Sequence, residues 1–94
     1  MAERVLFDND AASRFELHRG GEVVSIADYR RRKRVLTIPH VETDPTHRGN
    51  GYAAELMVAV LERIRHDDLR IRPLCPFAAS YLREHPEQQD LLAD

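Results

Sequence analysis

Arg48-Gly49-Asn50-Gly51 stands where the chain changes its period. Before it, apolar residues recur at alternate positions, as they do in strands. After it, residues 52, 53, 54, 56, 57, 58, 60, 61 and 64 are apolar, which winds around most of a helix and leaves Glu55, Glu62 and Arg63 as a narrow polar stripe. Two of the chain's four glycines fall within this single junction. Any fold open to the chain must therefore turn from strand to helix here, and must house a largely buried helix of about four turns.

Upstream, the pattern predicts an antiparallel meander. Arg4 to Asp8 reads as a short strand, residues 9–13 as a turn, and Ser13 to Arg19 as a second strand with Phe15 and Leu17 on one face. Gly20-Gly21 is a two-residue hairpin signal. Glu22 to Tyr29 continues it, with Val24, Ile26 and Asp28 expected on one face and Val23, Ser25 and Ala27 on the other. The basic run Arg30-Arg31-Arg32-Lys33-Arg34 falls at the next turn, and Val35 to Thr43 is the fourth strand. Pro39 within it suits an irregular or edge strand, since proline cannot donate to a ladder.

Downstream, the helix should end near His66-Asp67-Asp68 and be followed by a short strand, Leu69 to Leu74. A long apolar crossover between two strands predicts a parallel strand–helix–strand unit. Phe77 to His85 reads as a second helix with Pro76 in its first turn. Pro86 interrupts it, and residues 87–94 suggest a last short helix. The fold class is α/β (α+β): a mostly antiparallel sheet with a parallel pair, one buried helix and a small helical cap, in one domain spanning 1–94. A chain of 94 residues has no room for two independent cores.

Composition removes several classes of function. The formal charge of −2 gives the chain as a whole no attraction for nucleic acid or an anionic membrane. Cys75 is the only cysteine, so neither an intrachain disulfide nor a cysteine-based zinc site is available, and no metal is expected. Glu3, Asp8, Asp10 and Glu16 argue against a signal peptide. No uncharged apolar stretch approaches the length of roughly 18 residues that would span a membrane. The expectation is a cytoplasmic domain.

The junction itself has two chemical readings. Helix-start amides lack intrahelical partners, the helix dipole adds positive potential, and glycine lets an anion approach the backbone closely. Arg48 would add a charge-assisted hydrogen bond. Alternatively, the glycines serve only the backbone angles of a turn and Arg48 is solvated. The spacing is neither G-x-x-x-x-G-K-[ST] nor G-x-G-x-x-G.

The ordered set around the junction resembles the small, single-domain subgroup of the GNAT N-acetyltransferase superfamily. The motifs are His40-Val41-Glu42, Arg48-Gly49-Asn50-Gly51, Pro73-Leu74-Cys75-Pro76-Phe77, Tyr81 and His85-Pro86, from about Tyr29 to Leu92. The resemblance implies acetyl-CoA as co-substrate, its pyrophosphate held by Arg48 and the amides of Gly49, Asn50, Gly51, Tyr52 and Ala53. It implies two parallel strands that splay apart, with the pantetheine arm along the first and bonded to the backbone of Val41 and Thr43. The acceptor would be an amine on a small molecule or a protein lysine. A non-catalytic acyl-CoA-binding module is the alternative.

Acetyl transfer needs a base for the amine and a proton for the departing thiolate. Alternation puts Leu36, Ile38, His40 and Glu42 on one strand face, making His40 the candidate base and Glu42 a partner acting directly or through water. Cys75 precedes a helix start that lowers a thiol's pKa, so it is a candidate nucleophile or acid, with packing as the plain alternative. Tyr81 is the position at which the resemblance implies a proton donor to the thiolate. The basic run reads as a solvated turn, or as a contact for the adenine-ribose phosphate, an acidic acceptor or nucleic acid. Full-length superfamily members carry acceptor-site helices between their first two strands. This chain has only short turns there, which leaves the acetyl end open or closed by a second copy.

Overall fold

The computed structural model describes residues 4–93. Alternation before the junction yields four antiparallel strands in sequence order: β1 (Arg4–Asn9), β2 (Arg14–Arg19), β3 (Glu22–Arg32) and β4 (Val35–Thr43). The helix α1 (Tyr52–His66) carries the chain back so that β5 (Arg70–Pro73) lies parallel to β4, giving the sheet order β1-β2-β3-β4-β5. A second helix, α2 (Pro76–Glu84), and a 3-10 segment, Pro86–Leu91, complete the cap. Short 3-10 turns occupy Asp10–Ala12 and Pro45–His47. No helix among the described residues is long and apolar enough to cross a membrane.

The helices lie on one face of the sheet only. Leu17, Ile38 and Ile71 from the strands meet Leu56, Met57, Val60, Leu61 and Ile64 of α1, all fully buried. Ala78 and Leu82 extend that core under α2. The α1 stripe is narrower than its apolar sequence implies, because α1 packs on the sheet from one side. Ala54, Glu62, Arg63, Arg65 and His66 are exposed, and Ala53, Val58 and Ala59 only partly covered. At the far edge, Ala93 donates to the Ile71 carbonyl at 2.8 Å and Leu92 bridges Ile71, so the tail covers β5.

Two irregularities overturn the expected strand faces. Leu17 pairs with Ser25 but His18 pairs with Val23, which leaves Val24 as an extra residue in β3. Val24 and Ser25 are both buried in succession, and from there Ala27 and Tyr29 face the core rather than Ile26 and Asp28. In β4, Thr37 pairs with Arg30 and His40 with Asp28, so Ile38 and Pro39 together lie across from Tyr29. Leu36 and Ile38 are buried, but beyond Pro39 it is Val41 that packs on the core, and His40 and Glu42 are exposed on the outer face. The expected continuous face of Leu36, Ile38, His40 and Glu42 is broken there. A proline without an N–H interrupts the ladder, and a bulge reverses the alternation. The basic run also differs from expectation: β3 extends through Arg32, and the turn is only Lys33-Arg34, with Lys33 left-handed at φ 56°.

Two consequences are measurable. Ile38→Ala removes a fully buried side chain from the core beside the bulge, and urea unfolding should show a loss of about 2–5 kcal/mol. On the outer face, Glu16 accepts from Asn9 Nδ2 at 3.0 Å and lies 2.9 Å from His18 Nε2. These two contacts, the Asn9 bond foremost, hold its carboxyl below the usual range. A depressed folded-state pKa contributes stability above the unfolded value and loses it as pH falls through the folded value. Glu16→Gln should therefore be less stable than wild type at pH 7, and the two should converge as the pH falls below about 4.

Candidate functional site

The Arg48–Gly51 loop is shaped by the backbone before any ligand is considered. Asp44 Oδ1 accepts from the Thr46 amide and hydroxyl at 2.9 and 2.7 Å, which caps the 3-10 turn and holds the Asp44 carboxyl low. Arg48 is extended, then Gly49 and Gly51 take φ of 86° and 74°. An L side chain is strained at such angles, so glycine is required at both. A Cβ built on either glycine meets nothing within 4 Å, so the glycines are not there for packing and the space above the loop is open. Gly51 caps α1 without a side chain, and its carbonyl already serves the Glu55 amide at 3.0 Å. The first amides of α1, from Tyr52 to Ala54, precede the first intrahelical bond.

Contacts from distant strands pin this loop, and sequence reading missed them because their partners lie more than twenty residues away. His47 Nε2 is 2.6 Å from Glu22 Oε2, tying the loop to the β2–β3 hairpin. Ser25 Oγ donates to the Tyr52 carbonyl at 3.2 Å. The Arg19 guanidinium lies 5.7 Å from the Tyr52 ring centre, which brings a second cation to the Arg48 end of the molecule. Asn50 Nδ2 donates to the His47 carbonyl at 3.0 Å, closing the turn. The fit to a diphosphate is therefore chemical as well as steric: open space, orphan amides and two arginines.

A second element is the mouth between β4 and β5. Their pairing ends at Ile38 and Pro73. The Ile38 carbonyl then accepts from both Leu74 and Cys75 amides, at 3.1 and 3.0 Å, and the chain turns away into α2. Among the described residues no strand pairs with β4 from Pro39 to Thr43 on the β5 side, so the edge that carries Val41 and Thr43 is open to a guest backbone. Leu74, 60% exposed, and Phe77, also exposed, form an apolar lip.

The four catalytic candidates divide between two faces of the sheet. His40 and Glu42 lie outside with side chains 53% and 56% exposed, and His40 Nε2 is 4.0 Å from Glu42 Oε1, too far for a hydrogen bond. Cys75 begins α2 on the helix side, only 6% exposed and packed in the core. Tyr81, on α2 and partly buried, stacks on His85 with ring centres 3.8 Å apart, and its carbonyl accepts from His85 Nδ1 at 2.7 Å. Burial, and secondarily Glu87, raises the Tyr81 hydroxyl pKa, which keeps it protonated. The basic run lies at the other end. Arg34 binds Asp68 beyond the C-terminus of α1, a helix of about 22 Å from the loop at its N-terminus. The adenine-ribose contact considered for Arg30–Arg34 is thereby removed.

Three solved structures share the fold. A GCN5-like protein from Staphylococcus aureus superposes with a TM-score of 0.65 at 22% identity, over 97% of this chain and 87% of its own. The ribosomal-protein-S18-alanine N-acetyltransferase of Escherichia coli gives 0.63 at 17% identity, over 78% of this chain and 50% of its own. An aminoglycoside N-acetyltransferase solved in complex with CoA gives 0.50 at 16% identity, over 86% and 59% respectively. The chain thus spans most of the first, half of the second and little more than half of the third. No curated protein sequence matches it. Residues 14–91, most of the chain, match the model of the GCN5-related N-acetyl-transferases. The chain therefore belongs to the GCN5-related N-acetyl-transferase family of acetyl-transferring enzymes.

Proposed function

We propose that the protein transfers acetyl from acetyl-CoA to an amine, within a reducing compartment such as the cytoplasm. One observation carries the reading: a glycine-shaped loop with open space above it and an uncapped helix start lies beyond the open edge of β4. Arg48 and the amides of Gly49, Asn50, Gly51, Tyr52 and Ala53 hold the pyrophosphate, and the backbone of Val41 and Thr43 holds the pantetheine arm. That a fold relative was solved with CoA supports this assignment.

The thioester then lies in the mouth. His40 takes a proton from the acceptor, with Glu42 close enough to orient it through a water. The amine nitrogen bonds to the acetyl carbonyl carbon as the carbon–sulfur bond breaks. Tyr81, kept protonated by burial, gives its proton to the sulfur. The burial of Cys75 favours direct transfer over an acetyl-cysteine intermediate, with Cys75 packing the junction to α2.

Calorimetric titration with acetyl-CoA tests the site. Arg48→Glu should raise Kd at least about 30-fold, or about 2 kcal/mol, by replacing a charge-assisted bond with repulsion. Gly51→Ala should cost stability of about 1–2 kcal/mol from strain at φ 74° and also weaken acetyl-CoA at least about tenfold. A Gly51→Ala protein that is less stable yet binds normally would leave the glycines as a turn only. The chemistry is tested by amine-dependent CoA release. His40→Ala should lower kcat by about 10²-fold or more at saturating acetyl-CoA, and Cys75→Ala should change it little. Loss of turnover in Cys75→Ala with binding intact would instead support the covalent route. Binding without amine-dependent release would leave a non-catalytic acyl-CoA-binding module.

A further inference from the structure

β1 is one edge of the sheet, and among the described residues no strand pairs with its outer side. At the opposite edge the chain's own tail covers β5. An open edge offers its N–H and C=O groups to any strand whose side chains suit it. Alternation sorts the side chains of β1 between two faces. Asp8 lies on the helix side, where its Oδ1 accepts from the buried Tyr29 hydroxyl at 2.6 Å, and Leu6 packs on the core. Arg4 shares their parity and therefore their face. Val5 and Phe7 point outward and are 47% and 50% exposed. Phe7 meets the His18 ring edge-on with centres 5.8 Å apart, and His18 stands between Val5 and the exposed Val23. An apolar patch thus runs across the outer face up to the open edge.

The order of residues along β1 is complementary to itself. Opposite residues of an antiparallel pair share a face of the sheet. A two-fold axis can therefore pair β1 with a second β1 only about one residue, with odd positions against odd and even against even. Turned about Val5, the strand would set Arg4 against Leu6. Turned about Phe7, it would set Leu6 against Asp8. About Leu6 every pair matches: Arg4 meets Asp8, Val5 meets Phe7, and Leu6 meets its own copy. Opposite charges and an aromatic against a β-branched residue are the favourable cross-strand pairs. A foreign strand would have to carry this order by coincidence, whereas a second copy carries it by construction.

We propose that two copies of the chain associate through β1, antiparallel and centred on Leu6, joining two five-stranded sheets into one. The axis is perpendicular to the sheet, so both helical layers lie on the same side and the two apolar patches merge on the other. The inference does not rest on the acetyltransferase reading. β1 lies about 14 Å from β4, three strand spacings away, so the second copy leaves the mouth between β4 and β5 uncovered. A short strand pair is a small interface, which makes this a dimer that exchanges with monomer rather than an obligate one.

Sedimentation equilibrium of the whole chain between about 10 µM and 1 mM tests the pairing. The mean mass should rise from 10.9 kDa toward twice that value and stop there. Phe7→Lys sets a charge against Val5 of the second copy, while Glu16 opposite it on β2 suits that charge within the fold. It should raise the dimer Kd at least about tenfold. Adding Val5→Glu to Phe7→Lys puts opposite charges across the axis and should recover most of the loss. Register is read by oxidation with diamide. An equal mixture of Val5→Cys and Phe7→Cys chains should form a disulfide-linked mixed dimer, because opposite Cα atoms stand about 4.5–5.5 Å apart. Val5→Cys by itself should not link, its two copies lying more than about 7 Å apart. A folded wild type that stays monomeric to about 1 mM would overturn the pairing and leave the edge to a foreign strand. Dimers that Phe7→Lys leaves intact would overturn it by placing the association on another surface. Growth beyond the dimer would overturn the closed two-fold in favour of head-to-tail addition. Stronger linking of Val5→Cys with itself than in the mixture would overturn Leu6 as the centre.

Discussion

The carbonyl of Ile38 is the point on which the arrangement turns. It accepts two amides, those of Leu74 and Cys75, and so ends the parallel pairing of β4 with β5 at one residue. The next residue, Pro39, has no N–H with which to prolong the ladder. The two strands must therefore part. One continues as a half-open strand toward the Arg48–Gly51 loop, and the other turns into α2 behind Cys75. The hydrophobic core makes this separation affordable. The Ile38 side chain is fully buried against α1, so the strand is anchored up to the residue where it is released.

That break also decides which side of the sheet each later residue of β4 occupies. The bulge at Ile38–Pro39 moves Val41 toward the core and sends His40 and Glu42 to the uncovered face. Both side chains are then open to solvent, and the exposed Leu74 and Phe77 follow the point at which β4 and β5 part. At the loop end, positive φ at Gly49 and Gly51 exposes amides that would otherwise lie under side chains. Arg19, held over Tyr52, joins Arg48 to give that end a positive field. The face and the loop are thus consequences of two local irregularities, each caused by a residue with unusual backbone properties.

Much of the fold was legible because its signals are local. The strand β4 begins and ends where the alternation does, and α1 starts at the residue after Gly51. The parallel return of β5 follows from the length of the crossover. What misled was alternation carried across a bulge. Nothing in Glu22 to Tyr29 says that Val24 will be unpaired, since that depends on how β2 is registered against β3. The same holds for His40, whose face reverses because Tyr29 lies opposite two residues of β4. The loop residues Arg48, Gly49 and Gly51 could be named from sequence, but His47, Ser25 and Arg19, which fasten that loop, could not.

By itself the sequence determined the order of elements, the site of the strand-to-helix junction, and the glycines and arginine that the junction needs, because propensity, period and backbone freedom belong to a residue and its near neighbours. Only the tertiary structure decided which side of the sheet each titratable group occupies, that Cys75 is buried, and that Arg30 and Arg32 stand in register with Arg70 and Arg72. Those outcomes depend on strand register. Register is set by pairing between segments far apart in the chain, where one extra residue reverses every side chain after it.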